Sequence, residues 1–487
     1  MKMLTLLFLA AWAFAGATGL ALGDTDEVEY YALLIDGNKI GHMAVTRAVA
    51  DEAVTTSENM TMTIARGPES MTIHIFSRHL ETADGRPVAF EVEQNIGGVW
   101  QKTRGRIVDG HAEVSIEGVT GSRKQTIAWP EGALMAEGLR LLQVDKGLEA
   151  GTKYEATVFE PSMLIGMKGT VEVGDTADAD LFGRVVKLTQ VNVTLDMPTG
   201  AITSTHYVNP AFRAMRTLVP VMRMNMEMVA CSKEFALSDN DVVDFLKKLF
   251  VDSPMELKDL RSKKAAQYTL VPANGARLTL PTDDSQTVKS GLGGRLIVEV
   301  EPAAWSSGAA LPYSGTDPNI LQALRPTHYV ESDDEKVMEL ARAAVGDTTD
   351  AAEAVRKIES FVAGYIKTKD LSVGYASAAE VALSRQGDCT EHAVLAAAMC
   401  RAAGIPARVA FGLVYVEEFM GHKNVFGGHA WTQAYLGDKW VGIDATRVPG
   451  GYGAGHILLG TGNGDAADFL AMVNTLGYFK IERVVLK

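Results

Sequence analysis

A chain of 487 residues, 47% hydrophobic and 22% charged, has the composition of a globular protein of two or three domains. Its formal net charge of -14 excludes a nucleic-acid backbone as the main partner, because phosphate binding needs a basic surface. Only three cysteines occur, Cys231, Cys389 and Cys400, so a disulfide scaffold is excluded and at least one thiol within a chain stays free.

The N-terminus, residues 1–23, has the pattern of a secretory leader. Lys2 supplies the charge, Leu4 to Ala15 the apolar stretch, and Ala21-Leu22-Gly23 before Asp24 a small-x-small cleavage site. Ala13-Phe14-Ala15 is a second possible site. The uncharged run from Met3 to Gly23 is also long enough for an uncleaved anchor, but its small-residue tail favours cleavage. No later run resembles a transmembrane helix. The expectation is an exported protein, periplasmic or extracellular, with no stable membrane insertion after cleavage.

Residues 24–237 alternate in the manner of strands, as in "VEYYALLI", "MTIHIF", "VAFEVEQ" and "AEVSIEG". Asp36-Gly37, Asp84-Gly85 and Asp109-Gly110 fall between such runs, where positive φ closes hairpins. A large antiparallel all-β domain of unassigned role follows, with "GALMAEGLRLLQ" as a helix. "VPVMRMNMEMV" reads as a strand with a Met-lined buried face. Two Asn-x-Thr sequons, at Asn59 and Asn192, fall in strands and carry little weight. Residues 238–327 hold a short helix ("DNDVVDFLKKLF"), a small β segment from Ala265 to Glu301, and a Pro/Gly/Ser-rich linker.

From 328 to 487 the texture is α+β. Ser332 with Glu335 predicts a capped helix that buries Val337, Leu340, Ala341 and Ala344 and ends at Gly346. A second helix is expected over Thr349–Ile366, with Val355, Ile358 and Val362 inward. Ser377 with Glu380 caps a third. A long helix then runs to Gly404, and the strands "ARVAFGLVYV", "GGHAWTQAYL" and "KWVGIDATR" follow.

The long helix starts at "GDCTEHA". Asp388 as N-cap, with Glu391 as its box partner, puts Cys389 at the first helical position. The helix dipole and unpaired N–H groups there favour a thiolate, the nucleophile of acyl transfer. Cys400 lies close to three turns on, about 16 Å away, too far for a disulfide with Cys389. Gly437-Asp438 predicts a tight turn that pairs Leu436 with Lys439. That register points His429, Trp431 and Asp444 to one face, so that Asp444 can orient His429 towards the sulfur. A slip of one residue would undo it. Trp431 is a core or wall residue. Cys389 and His392 have half of a zinc-ligand spacing, but no second pair completes it, so no metal or other cofactor is expected. His392 then supports the site from behind. His422 and His456 fall in Gly-rich segments and are expected to be solvated, and "GTGNGDAADF" reads as a plain turn.

"GDCTEHAVLAAAMCRAAGIPARVAFG" followed by "GGHAWTQAYLGDKWVGIDAT" resembles the transglutaminase-like superfamily of papain-type thiol enzymes. The resemblance covers the C-terminal third of the chain. It implies a helix bearing Cys389 packed on an antiparallel sheet, with Cys389, His429 and Asp444 as catalytic residues and a protein or peptide substrate. It also implies a thioester mechanism, with the Cys389 N–H as oxyanion donor and Gln386 as a weaker candidate for the second donor. Three activities fit. A cysteine protease or amidohydrolase cleaving peptide or isopeptide bonds is preferred, and that preference comes from the resemblance. The others are a protein-glutamine transglutaminase and a non-catalytic peptide-binding module. Oligomeric state is not legible.

Overall fold

Asp36-Gly37 and Asp109-Gly110 both adopt positive φ in succession (48° and 82°, 47° and 74°), the conformation that closes a two-residue hairpin. They belong to a computed structural model that describes residues 28–50, 52–66, 69–119, 121–197, 200–221, 224–244, 250–273, 278–305, 308–368, 376–419, 421–463, 475 and 478–487. The leader-like residues 1–23 lie outside the described residues, as do 245–249 and 464–469. The chain divides into two compact units, Met1–Phe245 and Leu246–Lys487.

The first unit is one sheet. Its strands are β1 (Glu29–Ile35), β2 (Asn38–Ala50), β3 (Ala53–Arg66), β4 (Glu69–Thr82), β5 (Pro87–Ile96), β6 (Val99–Val108), β7 (His111–Gly118), β8 (Gly121–Ala128), β9 (Ala133–Leu134), β10 (Lys153–Glu160), β11 (Ile165–Leu181), β12 (Arg184–Met197), β13 (Gly200–Val208), β14 (Ala214–Val221) and β15 (Met224–Cys231). The sheet is antiparallel throughout except for the short parallel pairing of β9 with β10. β1 pairs with both β2 and β15, so the sheet runs from β8 down to β1, then from β15 down to β9. Its two edges, β8 and β9, are joined through residues 129–132 alone. The sheet therefore curls, with its two ends tied by a four-residue link and, among the described residues, no ladder between β8 and β9. Phe90 of β5 and Phe159 of β10 touch across the interior, with ring centroids 5.2 Å apart. They share a core with Val114, Met135 and the edge of Trp129.

Helix α1 (Ala136–Lys146) follows β9. Glu81 caps its first turn, accepting from the backbone N–H of Glu137 (2.6 Å) and Gly138 (2.9 Å). Gly85 and Gly138 meet backbone to backbone. A Cβ on Gly85, at φ +79°, would lie 2.7 Å from the Gly138 Cα. The Met-rich stretch is a hairpin between β14 and β15 rather than one strand; Met224, Met226 and Met228 on β15 are buried. Residues 239–244 are not helical. Lys39 donates its backbone N–H to Asp241 (3.0 Å) and its Nζ to Asn240 (2.8 Å), and these tertiary bonds override the local helix preference.

The second unit is α+β. Besides a short helix at Pro318–Gln322, its helices are α2 (Glu335–Val345), α3 (Ala351–Tyr365), α4 (Ala378–Ser384) and α5 (Cys389–Ala402). The cap of α2 is Asp334, which accepts from the N–H of Lys336 and Val337, not Ser332. A carboxylate there satisfies two orphan donors and also complements the helix dipole, which a hydroxyl does not. Val345, rather than Ala344, completes its buried face. α5 packs on a sheet of β16 (Val251–Asp252), β20 (Ala407–Phe419), β21 (His422–Leu436), β22 (Lys439–Ile443) and β23 (His456–Gly462). The Thr432 hydroxyl on β21 donates to the Ala393 carbonyl of α5 at 2.8 Å. A smaller sheet joins β17 (Ala266–Pro272), β18 (Gln286–Ser290) and β19 (Leu296–Val300) to the C-terminal strand β24 (Phe479–Leu486). The linker-like segment lies against the helices of this unit. Tyr313 N–H donates to the Gly404 carbonyl, and the Arg356 guanidinium sits over Trp305.

Candidate active site

The turn into α5 requires its glycine. Gly387 has φ +148°, and a Cβ there would come within 2.2 Å of the Glu391 Cβ. Asp388 and Glu391 form a reciprocal capping box. Asp388 Oδ1 accepts from Thr390 N–H at 3.0 Å, and Glu391 Oε2 accepts from Asp388 N–H at 2.9 Å. Glu391 Oε1 also takes the Ala376 N–H. Burial, and then the Asp388 charge, push the Glu391 carboxyl up to about 8. These bonds occupy the neighbouring first-turn donors. Cys389 holds the first helical position, with its thiol half-buried.

Cys389, at the start of α5, is close enough to the His429 ring to help raise its pKa. His429 sits mid-strand on β21, whose ladder with β22 has the register set by the Gly437-Asp438 turn: Leu436 opposite Lys439 and Thr432 opposite Ile443. One residue on, the chain leaves the strand. Asp444 caps a 3-10 turn (Ala445–Arg447), its Oδ1 accepting from Thr446 N–H at 3.1 Å. Its Oδ2 lies 2.7 Å from His429 Nε2. With Nε2 on the carboxylate, Nδ1 is the ring atom left for sulfur. Glu359 of α3 accepts the Asp444 backbone N–H at 2.8 Å.

Both partners are buried, and their charges survive because each has the other. Burial works against a charged His429, but the Asp444 carboxylate and then Cys389 outweigh it and raise the ring to about 10. Burial likewise opposes the Asp444 charge, but His429 and His456 hold its carboxyl well below the usual carboxylate range.

His456 is the residue that sequence reading placed wrongly. It is not solvated in a loop. It opens β23, is buried, and its Nε2 lies 3.0 Å from the same Asp444 Oδ2. β23 pairs with β20, a long-range pairing to which no local signal points. Trp431 is a wall, 1% exposed, packed against Ala410, Leu458 and Tyr452 and stacked near His429. His392 is buried one turn along α5, with Nδ1 2.6 Å from the Asp388 carbonyl oxygen. Gln386 is exposed and bridges to Thr368; no bond ties it to Cys389. His422 begins β21, its ring 4.9 Å from that of Phe250.

Among the described residues, His429, Asp444 and His456 are also the one set whose donor atoms cluster closely enough to suggest a metal. Two Nε2 atoms within hydrogen-bond distance of one oxygen make this a proton-holding network. A cation would have to displace both N–H protons from Oδ2.

In comparison with known proteins, residues 338–445 match the sequence pattern of the transglutaminase-like superfamily. No curated protein matches the chain. Among solved structures, a Cytophaga hutchinsonii protein provisionally named a cysteine protease is 20% identical, covering 46% of this chain and 86% of its own at a TM-score of 0.30. A β-barrel-like protein of a domain of unknown function from Brucella abortus is 14% identical, covering 42% and 95%, with a TM-score of 0.32. A Parabacteroides distasonis protein provisionally named a protease is 13% identical over 74% and 69%, with a TM-score of 0.19. Overlaps this low say nothing about activity.

Proposed function

Residues 338–445 form a transglutaminase-like domain, and from that premise we propose that this chain is an exported thiol-dependent acyl-transfer enzyme that hydrolyses peptide or isopeptide bonds. The observation that carries the reading is the connected line Cys389, His429, Asp444. The Asp444 carboxylate lies 2.7 Å from one ring nitrogen, and Cys389 acts on the same ring from the start of α5.

In this reading the Cys389 proton is held on His429 when the sulfur attacks. The sulfur attacks the substrate carbonyl, and the oxyanion forms near the Cys389 N–H. The tetrahedral adduct collapses to a thioester as His429 gives its proton to the departing amine. Water then attacks the thioester, His429 takes its proton, and the thiolate leaves. Asp444 keeps the ring in one orientation throughout and steadies its charged form. Hydrolysis is favoured over cross-linking because water is the acyl acceptor that needs no site of its own. A half-buried sulfur lets it reach the thioester.

Mass spectrometry of Gln- and Lys-containing peptides incubated with wild type and Cys389→Ala tests this. Cleavage products with wild type alone are expected. Isopeptide cross-links without cleavage would make it a transglutaminase, and unchanged peptides would leave a binding module.

A further inference from the structure

The role of His456 is not accounted for by the three-residue chemistry. We propose that His456 is a positioning residue: by placing its Nε2–H on the same Asp444 oxygen that holds the His429 Nε2–H, it shares the carboxylate's charge and sets the pH range over which the Cys389–His429 pair works. This rests on the proposed thiol chemistry and adds a fourth residue to it.

The geometry is specific. Oδ2 accepts from His429 at 2.7 Å and from His456 at 3.0 Å, while Oδ1 is occupied by Thr446 N–H. His456 Nδ1 lies 3.2 Å from the Gly453 nitrogen and 3.0 Å from the Gly453 carbonyl oxygen. A neutral ring carrying its proton on Nε2 donates to Asp444 and accepts from the Gly453 N–H, whereas a ring protonated on both nitrogens would donate to Asp444 and to the Gly453 carbonyl. Burial lowers the His456 pKa and Asp444 only partly offsets this, which agrees with the neutral form. The two rings therefore do different work on one carboxylate. One is charged and reactive; the other is neutral and takes a share of the acceptor.

The fold invests in holding His456 still. The smaller sheet grips the chain on both sides of it. Upstream, the Tyr268 hydroxyl donates to the Ala454 carbonyl at 2.6 Å. Downstream, Gln286 exchanges two bonds with the backbone of Leu458, at 2.9 and 2.8 Å. Tyr452 stacks at 4.6 Å on the ring itself. The other ionisable groups facing this network are Cys389 from α5, Glu359 from α3 on the Asp444 N–H, and Arg447 from the 3-10 turn, which is felt by both Asp444 and His456. None of these bonds the Asp444 carboxylate itself, so His456 is its one side-chain donor besides His429 among the described residues.

Removing the second donor concentrates the carboxylate's charge on His429, which then holds its proton more tightly. The expected shift is roughly one pH unit upward, the size of one hydrogen bond to a charged group. Side-chain 15N NMR titration of His429 reads this without any substrate. In His456→Phe the midpoint rises by about that amount, and in His456→Gln, whose amide N–H can replace Nε2–H, it stays near wild type. A midpoint unmoved in His456→Phe overturns the proposal. Wild type supplies a second measurement if that variant does not fold: the His456 Nε2–H resonance should move as His429 titrates, because both share Oδ2, and a resonance that stays still overturns the proposal as well. The underlying thiol reading fails separately, if the His429 midpoint is the same in wild type and Cys389→Ala.

Discussion

Both units bury ionisable side chains, but those along β4 lose their charge while His429 and Asp444 keep theirs. Along β4 of the barrel, Met71, Ile73, Ile75, Ser77, His79 and Glu81 all face inward and are buried. Glu58 on β3 and Glu160 on β10 join them. Burial, helped by Glu160, raises Glu58 to about 7; burial raises Glu81 to about 7 as well and lowers His79 and His206 to about 4. In the second unit the equally buried His429 and Asp444 stay charged. The difference is the partner. Glu58, Glu81, His79 and His206 meet no opposite charge, whereas His429 and Asp444 each meet one at 2.7 Å. Glu137 of the first unit keeps its charge in the same way, beside Arg47 and Arg140, so a buried charge pair by itself does not mark a reactive site; at His429 the pair also has a thiol beside it.

The sharpest way to break this contrast is to remove the sulfur. Cys389→Ala should abolish turnover, by on the order of 10⁴-fold or more, and leave thermal unfolding of the barrel unchanged. Loss of peptide hydrolysis, read by mass spectrometry, checks it. Removing the charge from the pair comes next. Asp444→Asn should cost on the order of 10²–10⁴ in rate and drop the His429 pKa towards the values of His79 and His206. A histidine NMR titration that still finds His429 near its wild-type midpoint would mean that something else holds the proton.

Stability against pH sharpens the contrast further. Glu58 and Glu81 have raised folded pKa values. Their contribution is complete below about 4.5, their unfolded value, and is lost as pH rises through about 7. His79 and His206 have lowered values. Theirs is complete above about 6.5 and is lost as pH falls through about 4. The barrel should therefore be most stable between about pH 4.5 and 6.5. The His429 contribution is complete below about 6.5 and is lost only as pH rises through about 10. Hydrogen exchange at pH 8.5 should open peptides of β3 and β4 before those of α5 and β21. The smallest effect is expected from Ser77→Ala. It removes the 3.3 Å bond to Glu58, and because that carboxyl is neutral the cost should be about 1 kcal/mol, read by denaturant unfolding.

What could be read in advance was local. The capping box at Asp388 and Glu391 spans one turn, and the His429–Asp444 face follows from a single hairpin register. Ser332 was mistaken for the α2 cap because Asp334 competes from two residues away, and the choice depends on which backbone donors each can reach. The inward Ser77, His79 and Glu81 break the apolar-in rule on which strand reading relies.

From the amino-acid order alone came the helix that starts on Cys389, the hairpin that pairs Leu436 with Lys439, and the α+β character of the last third. Each depends on residues close in the chain, where backbone geometry leaves few choices. Tertiary structure alone decided that β1 pairs with β15, that β24 returns to β17, and that His456 lands on Asp444. Those pairings join segments far apart in the chain. No local pattern encodes them, because their free energy comes from surfaces that exist only once both partners have folded.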